Sequence, residues 1–150
     1  LRQVEGRIIE QELRSVAASF LITGDMVHTK IGDLSEGQKG LVAFAQLVLL
    51  KPGLLILDEP TNGLDLQGAF ALIALMRSLS REGVTLLLVT HHLGEIIPEI
   101  ERVILLDRGQ IVGDGAKSQV LNEASLAALY NTPLRLTLEE GFYHAQPSDD

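Results

Sequence analysis

The chain contains no cysteine, which excludes disulfides and thiolate metal sites and suits a reducing compartment such as the cytoplasm. Basic residues are in the minority. With 12 Lys and Arg against 20 Asp and Glu, the net charge is −8, so no global field draws the chain to nucleic acid or to an anionic membrane. Long apolar runs are missing too: the longest, Leu41 to Leu50, is interrupted by Gln46 and is roughly half as long as a membrane-spanning helix needs to be. No secretory signal, internal repeat or low-complexity segment is visible in the 150 residues, and only Gln146 to Asp150 has the polar composition of a fraying end. This length predicts one domain around a single core, burying roughly 68–70% of the unfolded surface. The first residue is Leu1 rather than Met, which reads as a fragment boundary.

What is present is concentrated in Leu54 to Asp65, LLILDEPTNGLD. Leu54 to Leu57 are apolar without alternation, the pattern of a strand covered on both faces of a parallel sheet. Asp58 and Glu59 then emerge where such sheets bind ligands, beyond the carboxyl ends of their strands. Hard divalent cations take carboxylate oxygens, and a second carboxylate beside the first can orient or deprotonate a water. The same pair is equally compatible with the N-terminus of a helix, where the dipole favours acidic residues regardless of chemistry.

Elsewhere the pattern alternates helix and strand. Val4, Ile8, Ile9, Leu13, Val16 and Ala17 recur at helical spacing and predict an amphipathic helix over the first twenty residues. Thr23 to Asp33 reads as a loop. Ser35 with Gln38 three residues on forms a capping box that starts a helix from about Glu36 to Leu50, stopped by Lys51-Pro52-Gly53. Gln67 to Arg81, with Phe70, Ile73, Leu75, Met76 and Leu79 apolar and Gly83 as the stop, predicts a further helix, and Val84 to Thr90 a second all-apolar strand. Strand, helix, strand in that order makes a crossover unit with parallel pairing. Val103–Leu106 and Gln110–Val112 around Asp107-Arg108-Gly109 read as a hairpin. Ser118–Leu121 and Leu126–Tyr130 read as short helices, followed by a strand at Leu134–Leu138 and a turn at Glu140-Gly141.

Three strings now stand in order: DLSEGQK at Asp33 to Lys39, LLILDEP at Leu54 to Pro60, and LLVTHH at Leu87 to His92. Each is weak alone. Together, over about Gly32 to Gly115, they resemble the ATP-binding cassette (ABC) ATPases. Leu34, Ser35, Gly37 and Gln38 match that family's LSGGQ signature, Leu54 to Glu59 its Walker B strand and glutamate, Asn62 to Asp65 its D-loop, and His91 its switch histidine. The resemblance implies an α/β fold with a P-loop NTPase-like core: a largely parallel sheet with flanking helices plus part of the helical signature subdomain. It divides the chain into a helical signature region over about 1–53, a Walker B to switch-histidine core over about 54–115, and C-terminal helices and strands over about 116–150.

The same resemblance implies roles for individual residues. Asp58 would hold Mg²⁺, Glu59 would polarise the attacking water, and His91 would contact the γ-phosphate of ATP. Ser35, Gly37 and Gln38 would bind ATP held by a second nucleotide-binding domain, and Asp65 would link the two sites. Without the family, Ser35 is a plain helix cap and His91 a polar residue at a strand end. His92 completes a His-His pair, but adjacent residues of a strand face opposite ways, which disfavours a shared metal.

Departures from the family are informative. No G-x-x-x-x-G-K-[ST] occurs, and Gln38 stands where the nearest string, Gly32 to Lys39, would need its lysine, so the loop that cradles the β- and γ-phosphates is missing from these residues. Only 33 residues precede Leu34. The expectation is therefore a partial nucleotide-binding domain without its Walker A portion, inactive by itself, from a parent ATPase. Glu36 replaces the first signature glycine, and Leu41 stands where the family commonly has arginine.

The stretch from THHLGEIIPEIERVILLDRGQIVGDG to EASLAALYNTPLRL is similar to ATPase subunits of bacterial importers for metal chelates. That favours the motor subunit of a transporter, cytoplasmic and peripheral at the inner face of the membrane, partnered by a membrane-spanning subunit and with no direct nucleic-acid contact. QKGLVAFAQL looks instead like the soluble tandem-cassette proteins that act on ribosomes, which usually carry a histidine where this chain has Gly63. A DNA-repair ATPase would be bounded by coiled coil, and no sustained heptad run occurs. A non-catalytic interaction fragment is the remaining alternative. A carboxylate at Glu36 favours the helix start but repels phosphate, so Glu36→Gly in the complete cassette is expected to tighten ATP-driven dimerisation. Analytical ultracentrifugation with ATP checks this, and an unchanged or weaker dimer counts against it.

Overall fold

β1 (Leu54–Asp58) and β2 (Thr85–Val89) form the parallel pair expected from the two apolar strings. The computed structural model describes residues 18, 22, 24, 28–50 and 52–148. The N-terminal helix expected from Val4, Ile8, Ile9, Leu13, Val16 and Ala17 lies outside them. The chain divides into two compact units, Leu1–Val89 and Thr90–Asp150, each with its own buried residues, where length alone suggested a single core.

In the first unit, α1 (Glu36–Leu49) starts on the predicted capping box. α2 (Leu66–Arg81) connects β1 to β2 and supplies the crossover that parallel strands require. It ends in a Schellman motif. Val84 N–H donates to Leu79 O and Gly83 N–H to Ser80 O, both at 3.0 Å, with Gly83 at φ +91°. Glycine is needed there because the backbone turns left-handed.

Among the described residues the strands are not covered on both faces. Leu55 and Leu57 are buried, but Leu54 is 53% and Ile56 61% exposed, and on β2 Leu87 and Val89 are about half exposed. Successive strand residues face opposite ways, and among the described residues only the Leu55–Leu57 face of β1 is packed. Its unit's other buried apolar residues include Leu41, Phe44 and Ala45 on α1 and Leu72, Met76 and Leu79 on α2. The stripe Gly68, Leu72, Met76, Leu79 is what α2 buries, while Phe70, one of the apolar residues that mark the helix in the sequence, is 62% exposed. Phe70 and Leu72 are both apolar, so the choice between them was made by where the sheet lies.

The second unit is built on two hairpins. β3 (Arg102–Asp107) pairs with β4 (Gln110–Ala116) around Arg108 and Gly109, both at positive φ, which is the signature of a two-residue type I′ turn. β5 (Leu134–Glu139) and β6 (Phe142–Pro147) repeat the device at Glu140 and Gly141. β6 corrects the reading of Gln146 and Pro147 as part of a fraying end, because cross-strand pairing to Arg135 and Leu134 holds them. α3 (Lys117–Val120) and α4 (Glu123–Tyr130) lie between the hairpins in sequence, α4 capped by Asn122 Oδ1, which accepts from Ser125 N–H at 2.9 Å. Leu105, Val120, Leu121, Leu126 and Tyr143 form the core, with Leu93, Ile96, Val103, Leu129, Leu134 and Leu136 against it.

One polar tie crosses this unit. Lys117 Nζ donates to the carbonyls of Ile97 (3.1 Å) and Pro98 (2.9 Å), and burial lowers its pKa while Glu99 opposes the shift. Hydrogen bonds from a charged donor contribute about 1.5–3 kcal/mol each at most, so Lys117→Met is expected to destabilise the second unit by about 1–3 kcal/mol, read by urea denaturation. A loss indistinguishable from zero would mean that water replaces the amine.

Candidate functional site

The first turn of α1 is organised by short-range bonds. Gln38 N–H donates to Ser35 Oγ at 3.2 Å, and Ser35 N–H donates to Gln38 Oε1 at 2.9 Å. Ser35 O accepts from Lys39 N–H at 2.8 Å as the helix begins. The first two each satisfy an orphan amide of the helix start, and the third is the first regular bond of the helix. The amides of residues 36 and 37 remain as first-turn donors without an intrahelical acceptor, at the positive end of the dipole, which is the arrangement that accepts anions. Two of the predicted site side chains, Ser35 and Gln38, thus each accept from the backbone amide of the other residue.

At the other end of the site, Asp58 is the last residue of β1 and stands opposite Val89. By alternation it shares the open face with Leu54 and Ile56, and it is exposed. Glu59 leaves the sheet with one more rung, its N–H donating to Val89 O at 2.8 Å. Its φ is +45°, a left-handed conformation that is uncommon for a residue with a long side chain and costs on the order of 1–3 kcal/mol. Such strain clusters at functional positions. Asn62 N–H donates to Glu59 O (3.0 Å) and Leu64 N–H to Thr61 O (3.1 Å), so the segment from Glu59 to Leu64 is a pair of hydrogen-bonded turns. Gly63 at φ +75° permits the second of them.

Asp65 then starts α2: its Oδ1 accepts from Gly68 N–H at 2.7 Å. Asp65, named from the sequence only through the D-loop resemblance, is thus also a helix cap, for which Asp three residues before Gly68 at a helix start is the local signal. The predicted residues Gly37, Asp58 and Glu59 come together around one cavity of about 250 Å³, walled also by Phe44, Leu57 and Leu72. The left-handed backbone at Glu59 was not legible in the sequence, since a Glu-Pro step ordinarily reads as extended.

His91 and His92 belong to the second unit. They follow β2 rather than extending it, so the strand alternation that separated their rings does not apply: the ring centroids are 3.9 Å apart and tilted by 40°. His92 N–H donates to Thr90 Oγ1 at 2.9 Å, and His91 O accepts from Tyr130 Oη at 3.4 Å.

The strain at Glu59 makes a stability prediction. Glycine adopts positive φ without a Cβ penalty, so Glu59→Gly is expected to raise the unfolding free energy of the chain, by up to about 1 kcal/mol after the added unfolded-state entropy is subtracted. Denaturant titration tests this, and a loss of stability would show that the Glu59 side chain stabilises more than its backbone costs.

With the fold and geometry established, similarity to known proteins is informative. The family model described as "AAA domain, putative AbiEii toxin, Type IV TA system" matches residues 3–96. An energy-coupling factor transporter ATP-binding protein, EcfA2, from Streptococcus agalactiae is 34% identical over 127 residues, covering 84% of this chain and 44% of that protein. The corresponding EcfA of Methanothermobacter thermautotrophicus is 38% identical over 93 residues, 62% of this chain and 30% of that protein. The chain therefore spans less than half the length of these relatives. Among solved structures, one described as "an inward-facing conformation of a putative metal-chelate type ABC transporter" superposes with a TM-score of 0.68 at 20% identity, over 97% of this chain and 61% of that one. An ATP-binding cassette of an ABC transporter gives 0.62 at 21% identity, over 84% and 51%. At these identities the structures speak for the fold alone, which is that of the P-loop NTPase-like cassette core. Sequence and fold agree that the chain belongs to the ATP-binding cassette ATPases, within their nucleotide-binding domain.

Proposed function

We propose that this chain is part of the ATP-hydrolysing motor subunit of an ABC transporter. The observation that carries the reading is the Asp58-Glu59 pair at the carboxyl end of a parallel strand, with the Glu59 amide tied to β2 and its backbone held left-handed. Such strand ends are where α/β sheets bind ligands. The energy-coupling factor relatives support the coupling to transport.

The donors present fit Mg²⁺-ATP. Asp58 is an exposed carboxylate with hard oxygen ligands, and the first-turn amides of α1 suit a phosphate. Mg²⁺ supplies neutralisation of the charge on the phosphate oxygens when bound. Asp58 would hold it. Glu59 would orient the attacking water and accept its proton, and His91 would donate to the terminal phosphate. Ser35, Gly37 and Gln38 would face nucleotide carried by a second nucleotide-binding domain, with Asp65 bridging the pair. No described helix is long and apolar enough to cross a membrane. By the likeness to transporter ATP-binding proteins, the chain would act with a membrane-spanning partner and lie peripheral to it on the cytoplasmic side.

The decisive experiment uses the complete cassette. Glu59→Gln keeps the shape of the side chain and removes its basicity, and loss of a general base costs about 10²–10⁴-fold in rate. Turnover should fall by that factor while ATP binding, followed by equilibrium dialysis, persists. Normal turnover would remove Glu59 from the role.

A further inference from the structure

Gly37 lies against the turn that follows β1. A Cβ at Gly37 would lie 2.9 Å from the carbonyl oxygen of Gly63, 3.3 Å from Leu64 Cδ2 and 3.7 Å from Leu64 Cα. The first of these is backbone and cannot rotate away. Three residues along the same helix, a Cβ at Gly40 would meet nothing within 4 Å. The missing side chain is therefore required at Gly37 and dispensable at Gly40, although both are helical and both would gain helix propensity as alanine.

Gly63 and Leu64 are themselves stiffly held. Leu64 N–H is bonded to Thr61 O, Asn62 N–H to Glu59 O, and Gly63 occupies φ +75°. Directly after them, Asp65 Oδ1 caps α2 through Gly68 N–H, and Gly68 is in turn confined, a Cβ there lying 3.1 Å from Asp65 Oδ1 and 3.5 Å from Leu64 Cβ. Close-packed contacts of this kind transmit displacement because neither side can yield.

We propose that Gly37 is a positioning residue: it seats the first turn of α1 on the Gly63–Leu64 backbone, so that the turn running from Glu59 to Asp65 moves with the start of α1. This deepens the ATPase reading and rests on it. Anion capture at the α1 amides would reach the Glu59 turn by contact within one chain, without any change elsewhere in the sheet.

The test compares two identical substitutions on one helix. In ¹H–¹⁵N spectra of this chain, Gly37→Ala is expected to shift the amides of Gly63, Leu64, Asp65 and Gly68, whereas Gly40→Ala leaves those four in place. Unmoved amides in Gly37→Ala, or equal shifts in Gly40→Ala, would overturn the proposal. If Gly37→Ala does not fold, Ser35→Ala loosens the same helix start without a clash. It should then speed hydrogen exchange at the Leu64 amide, and unchanged exchange there overturns the proposal equally. In the complete cassette, Gly37→Ala should lower kcat by about 10- to 100-fold through misplacement of the turn, with KM for ATP little changed. A raised KM with intact kcat would assign Gly37 to nucleotide contact alone. The spectra require no nucleotide, so their failure leaves the ATPase reading standing. Failure of the Glu59→Gln test leaves the contact standing.

Discussion

The last rung between β1 and β2, Glu59 N–H to Val89 O, is the constraint on which the first unit depends. It prolongs the parallel register that pairs Asp58 with Val89 and sets the point at which the chain abandons the sheet. Because the amide of Glu59 still belongs to the ladder while its φ is already left-handed, the reversal is forced into a single residue. The turns through Asn62 and Leu64 and the start of α2 at Asp65 follow from that reversal by bonds of only three residues' reach. A looser exit from the strand would leave the two carboxylates without a defined relation to either helix.

Side-chain caps start both helices of the first unit. Ser35 and Asp65 each satisfy an amide of the helix they start, a structural role sufficient to account for their residue types. The same economy applies to Gly37, whose small size is explained by the neighbouring turn before any nucleotide is considered. In this unit, positions that match the family's motifs are also the positions where helices begin, because a helix start is where backbone donors are left over.

The second unit obeys different rules. Its hairpins close on Arg108-Gly109 and Glu140-Gly141, both pairs left-handed, and its core is gathered from strands and short helices around Leu126. The bidentate pair from Arg102 to Asp114 braces one hairpin on its exposed face at 2.8 Å, raising the arginine pKa and lowering that of the carboxylate through the shared hydrogen bonds. Exposed pairs of this kind are screened by water and salt. Stability there comes from the apolar cluster.

The local features of this protein were determined by the sequence alone. The capping box at Ser35, the stop at Gly83 and the turn at Arg108-Gly109 all rest on residues within a few positions of one another, and their physics is complete at that range; the parallel pairing of β1 with β2 spans some thirty residues and was legible only as the succession strand, helix, strand. The order of the three motifs identified the family for the same reason, since order is a property of the chain. Tertiary structure decided the rest. Which face of β1 is buried, whether Phe70 or Leu72 enters the core, the pairing of Gln146 and Pro147 into β6, the left-handed turn at Glu59 and the seat of Gly37 on Gly63 each depend on an element that arrives from elsewhere in the chain. Burial and close approach are set by what packs against a residue, and a residue's neighbours in sequence do not contain that information.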